Sequence, residues 1–171
     1  RHSVKEVMQF NANPMFRDLG DARKLSFQQV SKHADRVVYE QVQMRTDFYD
    51  RNHIPIYQGR ASFLDKNTVK LFGKRKKLSA TNFIIATGSS PYHPPGVDFS
   101  HDRVFDSDTI LNMDYSPRKV TVMGAGVIGC EYASIFGGLG CKVELINPAS
   151  GLLTFLDTEI ADALSYHLRN L

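Results

Sequence analysis

The stretch KVTVMGAGVIGCEYASIF, residues 119–136, constrains the fold most, because it joins an apolar strand to a helix through a G-x-G-x-x-G turn. In a dinucleotide-binding turn the first glycine, here Gly124, permits the tight bend. The second, Gly126, lets the backbone approach a pyrophosphate, and the third, Gly129, lets the helix pack close to the strand. The helix N-terminus then presents N–H groups to the phosphates. We therefore predict a dinucleotide-binding turn; the alternative is a glycine turn that only packs a helix.

A second apolar strand, Lys142–Ile146, completes a β-α-β unit, and Asn147 stands at its end. An acidic side chain there would hold a ribose 2′-hydroxyl, and a nearby arginine would accept a 2′-phosphate. Asn147 does neither strongly, and Asn followed by Pro148 is also an ordinary turn, so both interpretations stay open. Glu131 lies early in the helix, where the helix dipole stabilises a carboxylate without any ligand.

The N-terminal part of the chain predicts two helices. Val4, Val7 and Met8 have helical spacing from the first residues, so we expect an internal fragment that begins inside a helix. Ser26 and Gln29 form a possible capping box, which predicts the start of a long amphipathic helix that extends toward residue 48.

The middle of the chain predicts an antiparallel β-meander from residue 54 onward, with turns at Asp65-Lys66-Asn67 and Gly73-Lys74. The meander is predicted to end in a buried strand, Phe83–Ala86. A proline-rich connector, PYHPPGV, follows, and a domain boundary is predicted near Ser116-Pro117.

Composition excludes few classes of protein. The net charge is +3, and the basic run Lys74–Lys77 carries no interleaved aromatic residues, so we expect a solvated turn and no nucleic-acid partner. Cys130 and Cys141 have neither metal-ligand nor C-x-x-C spacing, and we interpret both as buried thiols of a reducing compartment. With no apolar run of about 18 residues and no signal segment, we expect no membrane association and a cytoplasmic location.

Four segments, GRASF, FIIATGSSPYHPP, DSDTIL and GAGVIGCEYASIF, resemble the FAD-dependent pyridine nucleotide oxidoreductases with two dinucleotide-binding domains, which include glutathione reductase and dihydrolipoamide dehydrogenase. The resemblance implies an α/β, Rossmann-like flavoprotein fragment. Residues 1–115 would form the later part of the FAD-binding domain, with its β-meander. Residues 116–171 would form the N-terminal part of the NAD(P)-binding domain, with its opening β-α-β unit.

The resemblance also implies functional residues. Arg60 and Ala61 would contact the adenine end of FAD, and the turn Thr87, Gly88 and Ser89 would border the flavin. The pyrophosphate of the nicotinamide cofactor would lie on the turn formed by Gly124, Ala125, Gly126, Val127, Ile128 and Gly129, with Asn147 near the ribose. Glu131 would lie near the flavin, facing a lysine expected upstream of Arg1. Glutathione reductases carry a tyrosine at the position of Val127, so an aliphatic residue there favours another branch.

Further segments, including YDRNH, VDFSH, CEYASIF and FLDTEIADALSYH, resemble the transhydrogenase branch of that family. This resemblance implies hydride transfer from NADPH through FAD to NAD⁺ in the intact protein, as a homo-oligomer, with the pyridine nucleotides as substrates. One alternative is a dihydrolipoamide dehydrogenase-like disulfide oxidoreductase, which needs a cysteine pair before Arg1. Another is a non-catalytic nucleotide-binding fragment.

Overall fold

The computed structural model of the chain describes residues 2–13, 25–73 and 76–169. Its helices are α1 (His2–Ala12), α2 (Phe27–Arg51), α3 (Val127–Gly138) and α4 (Thr158–Arg169). Its strands are β1 (Ala61–Asp65), β2 (Thr68–Leu71), β3 (Lys76–Ser79), β4 (Lys119–Met123) and β5 (Lys142–Ile146), and a 3₁₀ turn spans Thr109–Asn112. The chain divides into two compact units: unit 1 is Arg1–Arg36 with His93–Leu171, and unit 2 is Val37–Tyr92.

Unit 1 contains the predicted β-α-β arrangement. Strands β4 and β5 pair in parallel, with Lys119 opposite Lys142 and Met123 opposite Ile146. Helix α3 connects them and packs on the face of the sheet that carries the partly buried Val120, Val122, Val143 and Leu145. The Rossmann-type unit predicted from the glycine turn is therefore confirmed.

The largest apolar cluster of unit 1 lies beneath α3. Phe136 is almost fully buried, and its ring stacks on that of Phe27 with centroids 5.2 Å apart. Met113 joins these two rings, so the start of α2 and the segment before β4 both pack against α3. Burial of these aromatic side chains stabilises the unit.

The predicted capping box at the start of α2 is also confirmed. The backbone N–H of Ser26 donates to Gln29 Oε1 at 2.8 Å, and the N–H of Gln29 donates to Ser26 Oγ at 3.2 Å. These reciprocal bonds satisfy N–H groups that a helix start leaves unpaired. The predicted helix, expected to extend toward residue 48, runs to Arg51, and among its described residues Phe27 is the one that is buried.

Helix α1 packs against the end of α3, and a glycine makes this approach possible. A Cβ added to Gly138 would lie 2.6 Å from Val4 Cγ1 and 2.7 Å from Met8 Sδ. Real Cβ atoms do not come that close to other atoms, so the apolar positions of α1 occupy the space that a side chain at position 138 would need. Val4 is 3% exposed as a result.

Unit 2 contains the predicted meander, in the order β1-β2-β3 with both pairs antiparallel. The turn between β1 and β2 forms as predicted: Asp65 Oδ1 accepts the N–H of Asn67 at 2.8 Å, and Asn67 Nδ2 donates to Ala80 O at 2.9 Å. The predicted turn at Gly73-Lys74 falls partly outside the described residues, as does the start of the basic run at Lys74 and Arg75.

The prediction of a buried strand at Phe83–Ala86 is wrong. Residues 83–86 belong to no helix or strand, and the side chains of Ile84 and Ile85 are 94% and 73% exposed. An apolar run becomes a buried strand only where neighbouring strands accept its backbone hydrogen bonds and a second layer covers its side chains. Within the described part of unit 2, Phe63 packs on Phe83 edge to face, but no strand pairs with this segment.

The predicted boundary near Ser116-Pro117 stays a prediction.

Among the described residues, no helix combines the length and the apolar character needed to cross a membrane.

Candidate functional site

The first glycine of the turn adopts a conformation that favours glycine. Gly124 has a φ of +102°, a region that residues with a Cβ rarely enter. Its N–H donates to Ile146 O at 2.8 Å, so the bend begins directly where β4 lies beside the end of β5. The predicted role of Gly124 as the residue that permits the tight turn is consistent with this geometry.

The second glycine lies in open space at the start of α3. Gly126 is the N-cap of this helix, its carbonyl accepts the N–H of Cys130 at 3.0 Å, and no side chain caps it. Within the described part of the chain, a Cβ added to Gly126 would meet no atom within 4 Å. Packing of the fold therefore does not require glycine at this position. A ligand that approaches the N-terminus of α3 would require it, because a side chain would stand in its way.

The third glycine serves the fold. A Cβ added to Gly129 would collide with the carbonyl oxygen of Gly124 and come within 3.5 Å of Val122 Cγ1. The first turn of α3 thus lies directly against the bend and the strand, as predicted for close packing of helix and strand.

The remaining residues of the turn divide into buried and exposed positions. Ala125 is buried, and its carbonyl accepts hydrogen bonds from the N–H of Leu153 at 3.1 Å and from Cys130 Sγ at 3.6 Å. Val127 and Ile128 are more than half exposed beside Gly126. Any contact of Ala125 with a cofactor would have to be through its backbone, while Val127 and Ile128 can offer side chains.

The two cysteines occupy different environments. Cys130 is buried and Cys141 is partly exposed, so the prediction of two buried thiols is correct for the first only. Burial raises the pKa of both thiols above the usual range, which keeps them in the protonated form. Cys141 Sγ donates to Pro117 O at 3.0 Å. Neither cysteine has the lowered pKa of a reactive thiolate.

Glu131 is exposed on α3 and lines a cavity of about 120 Å³ between α3 and α4. The cavity is otherwise mostly apolar; its lining residues are Val127, Cys130, Glu131, Ser134, Leu153, Leu164 and Leu168. Pockets for drug-sized ligands usually have volumes of roughly 300–1,000 Å³. This hollow is therefore too small to hold a dinucleotide.

Asn147 shapes the loop that follows β5. Its Nδ2 donates to Gly151 O at 2.8 Å and to Ala149 O at 3.3 Å, so both amide hydrogens serve the turn. The turn interpretation left open by the sequence is thus observed. The carbonyl Oδ1 of Asn147 is still an acceptor to which a ribose hydroxyl could donate.

Leu153 is a residue that the sequence reasoning missed. It has a φ of +46°, is 8% exposed, and donates its N–H to Ala125 O. Leucine seldom adopts this left-handed conformation, so no pattern in the sequence indicates it. The hydrogen bond from Leu153 to Ala125 thus connects the loop after β5 to the glycine turn.

The acidic segment DSDTIL forms a tight turn around Asp106. Asp106 Oδ1 accepts the N–H groups of Thr109 and Asp108 and the Thr109 hydroxyl at 2.7–3.0 Å, and Oδ2 lies 2.7 Å from His93 Nε2. These hydrogen bonds hold the pKa of Asp106 well below its usual range, and the bond from the Thr109 N–H has the largest effect. In unit 1 this aspartate therefore organises the chain ahead of the 3₁₀ turn.

The residues predicted to contact FAD lie in unit 2. Arg60 precedes β1 and its carbonyl accepts the N–H of Phe72 at 2.7 Å, while Ala61 is the first residue of β1. Gly88 has a φ of +71°, and a Cβ added there would meet no atom within 4 Å. The segment Thr87–Ser89 is exposed and irregular, with a positive φ at Gly88, and is separate in the chain from the Gly124–Gly129 turn of unit 1.

Comparison with protein families finds one model that matches nearly the whole chain. The family described as pyridine nucleotide-disulphide oxidoreductase matches residues 6–171.

Curated relatives match the chain over its full length. Soluble pyridine nucleotide transhydrogenases from Pseudomonas paraeruginosa and from a Marinomonas species are 56% and 57% identical to it, each over 99% of this chain. The enzyme of the same name from Hahella chejuensis is 54% identical. The chain spans 37% of the length of these relatives.

A solved structure shares the fold. The HOCl-induced flavoprotein disulfide reductase RclA from Escherichia coli superimposes with a TM-score of 0.74 over 98% of this chain and 35% of that protein. The sequence identity is 24%, so this likeness concerns the fold alone.

Proposed function

Since the chain belongs to the pyridine nucleotide-disulphide oxidoreductase family, we propose that the full-length protein transfers hydride between NADPH and NAD⁺ through bound FAD. The observation that carries this proposal is the identity of 54–57% to soluble pyridine nucleotide transhydrogenases across the whole chain. The predicted division into residues 1–115 for FAD and residues 116–171 for NAD(P) is part of the proposal.

The geometry of unit 1 supports nucleotide binding. The open space at Gly126 and the uncapped N-terminus of α3 fit a pyrophosphate that receives N–H groups of the first helical turn. Val127 and Ile128 border that position with exposed apolar surface. Asn147 would offer a neutral acceptor toward the ribose, which suits a site that takes both NADH and NADPH.

Unit 2 supports flavin binding. The exposed segment at Gly88 leaves room for a ligand at its backbone, and Arg60 and Ala61 would contact the adenine end. FAD supplies the hydride-accepting and hydride-donating chemistry, while the protein supplies orientation and electrostatics. Glu131 would contribute a carboxylate near the flavin from its exposed position on α3.

A test of the reaction compares two acceptors with the purified full-length flavoprotein. We expect NADPH to reduce thio-NAD⁺, followed by absorbance, with much slower reduction of lipoamide or glutathione disulfide. Reduction of a disulfide with no transfer to thio-NAD⁺ would support the disulfide oxidoreductase alternative instead.

We further propose a cytoplasmic homo-oligomer, which analytical ultracentrifugation and cell fractionation would test.

Replacing Asn147 with glutamate is expected to weaken NADPH much more than NADH. The new carboxylate would accept a hydrogen bond from a ribose 2′-hydroxyl but would repel a 2′-phosphate. We expect the ratio of kcat/KM for NADPH and NADH to shift toward NADH by about tenfold or more, equivalent to about 1.4 kcal/mol. The measurement is steady-state kinetics of both nucleotides with an artificial electron acceptor.

Asn147→Gln is the matched control for this change, because it is as long as glutamate but neutral. Both variants disturb the short-range bonds to Ala149 and Gly151, and only glutamate adds charge. If the selectivity of Asn147→Glu stays within about twofold of that of the glutamine variant, the charge at position 147 does not face the 2′-position.

Residues 1–171 produced alone are expected to bind no FAD tightly and to have no transhydrogenase activity. The exposed Ile84 and Ile85, together with Met123 at 73% exposure, leave apolar side chains uncovered in the chain as given. The measurement is the flavin absorbance of the purified chain after gel filtration. A chain that stays yellow would contradict this expectation.

A further inference from the structure

We propose that Leu153 is a positioning residue that fixes the loop after β5, residues 147–157, against the glycine turn and so sets the affinity for pyridine nucleotide. The proposal rests on the proposed function, in that unit 1 is taken to bind NAD(P)H. It goes further by assigning the placement of the ribose-side loop to a buried aliphatic residue that contacts no ligand itself.

The contacts of Leu153 join the loop to the turn in two ways. Its N–H donates to Ala125 O at 3.1 Å, between the glycines that are proposed to receive the pyrophosphate. Its side chain is 8% exposed and packs in a cluster with Ala125 and Cys130, to which Leu145 and Leu164 also belong. A displacement of Leu153 would therefore move the loop relative to the turn.

The backbone at Leu153 indicates that the tertiary contacts hold the loop in place. A φ of +46° is unfavourable for leucine and persists only where the surrounding structure compensates for it. The compensation visible here is the burial of the side chain and the bond to Ala125. Leu156 N–H donates in turn to Leu153 O at 2.8 Å, which continues the ordered path toward α4.

The chemistry of the loop explains why its position matters. Residues 147–155, with the sequence NPASGLLTF, carry no charged side chain. Asn147 donates both amide hydrogens to carbonyl oxygens inside the loop, those of Ala149 and Gly151. Such a loop offers a ribose or its phosphate mainly backbone groups and hydroxyls, whose usefulness depends on where the backbone lies. Residues 147–155, which are uncharged and fixed in shape, can serve both nucleotides, whereas the Asp157 carboxylate at the end of the loop accepts the N–H of Glu159 at 2.9 Å.

The test is Leu153→Ala in the full-length flavoprotein, with NADPH or NADH oxidation followed with an artificial electron acceptor. We expect the KM of both nucleotides to rise about tenfold, because misplacement of a binding group by about 1 Å can cost that much or more. We expect kcat to stay within about twofold and the FAD content to be unchanged, since the loop does not touch the flavin in the proposed arrangement. Leu153→Met should restore a KM near that of the wild type.

Leu164→Ala is the matched control, because Leu164 packs in the same cluster from α4 and lies outside the loop. It should lower stability while leaving KM unchanged. Leu153→Gly, which accepts a φ of +46° freely, provides a second variant should the alanine variant fail to fold. An unchanged KM in a folded Leu153 variant, or an equal rise in Leu164→Ala, would overturn the proposal. A wild-type protein that oxidises NADPH but transfers nothing to thio-NAD⁺ would refute only the proposed function.

Discussion

Replacing Gly126 with valine is expected to raise the KM of pyridine nucleotides at least about a hundredfold in the full-length protein, the scale expected when a reactant can no longer reach its position. The branched side chain would fill the open space beside the backbone at the start of α3, where the pyrophosphate is proposed to bind. The fold should survive, because a Cβ at this position meets no atom within 4 Å among residues 2–13, 25–73 and 76–169. Steady-state kinetics of both nucleotides would measure the effect.

The control for this prediction lies in the same protein sample. The FAD content should equal that of the wild type, and the free energy of unfolding should fall by no more than about 1 kcal/mol, the usual cost of a poorer N-cap residue. Unchanged kinetics with both nucleotides would show that the ligand does not approach Gly126. Loss of FAD together with activity would show that the substitution acts through the fold.

Replacing Gly129 with alanine is expected to act on the fold, where Gly126→Val acts on nucleotide binding, and to destabilise the protein strongly. The added methyl group would collide with the carbonyl oxygen of Gly124, which belongs to the bend itself and cannot rotate away as a side chain would. The helix would have to shift outward from β4, and overpacking of this kind costs about 1–3 kcal/mol, occasionally more. We place Gly129→Ala at the upper end of that range. Urea unfolding followed by circular dichroism would measure it.

Gly126→Ala is the matched control, since it adds the same methyl group to the same turn in open space. The pair separates a glycine that serves a ligand from one that serves the fold. If Gly129→Ala were as stable as Gly126→Ala, the close approach of α3 to the bend would not be needed for stability.

A ligand-related and a packing-related glycine look alike in a sequence, yet the motif correctly predicted the bend at Gly124 and the close packing at Gly129, while the approach of a ligand to Gly126 stays a prediction. The reason is that the tight bend, the open approach and the close helix packing all depend on residues within a few positions of the turn. The capping box of Ser26 and Gln29 and the hairpin turn at Asp65–Asn67 were predicted for the same reason. Each involves side chains that reach backbone groups two or three residues away.

The strand prediction that failed depends on residues far apart in the chain, and the assignment that stayed open depends on a ligand. An apolar sequence at Phe83–Ala86 has the composition of a strand, but composition provides neither the neighbouring strands nor the covering layer. Asn147 could not be assigned because the same residue suits a turn and a ribose contact. Its bonds to Ala149 and Gly151 show the turn, while its relation to a nucleotide stays a prediction.

The β-α-β unit, the meander and the family could be predicted from the residues alone, because hydrophobic period, glycine spacing and motif order are local properties of the chain. In contrast, the open space at Gly126, the close contacts at Gly129 and the left-handed conformation of Leu153, whose N–H donates to Ala125 O, became visible in the folded chain. Leu153 and Ala125 are 28 positions apart, and the burial that compensates the unfavourable φ exists only after α3, β5 and α4 have packed. A conformation that is stabilised by distant groups leaves no local pattern from which it could be predicted.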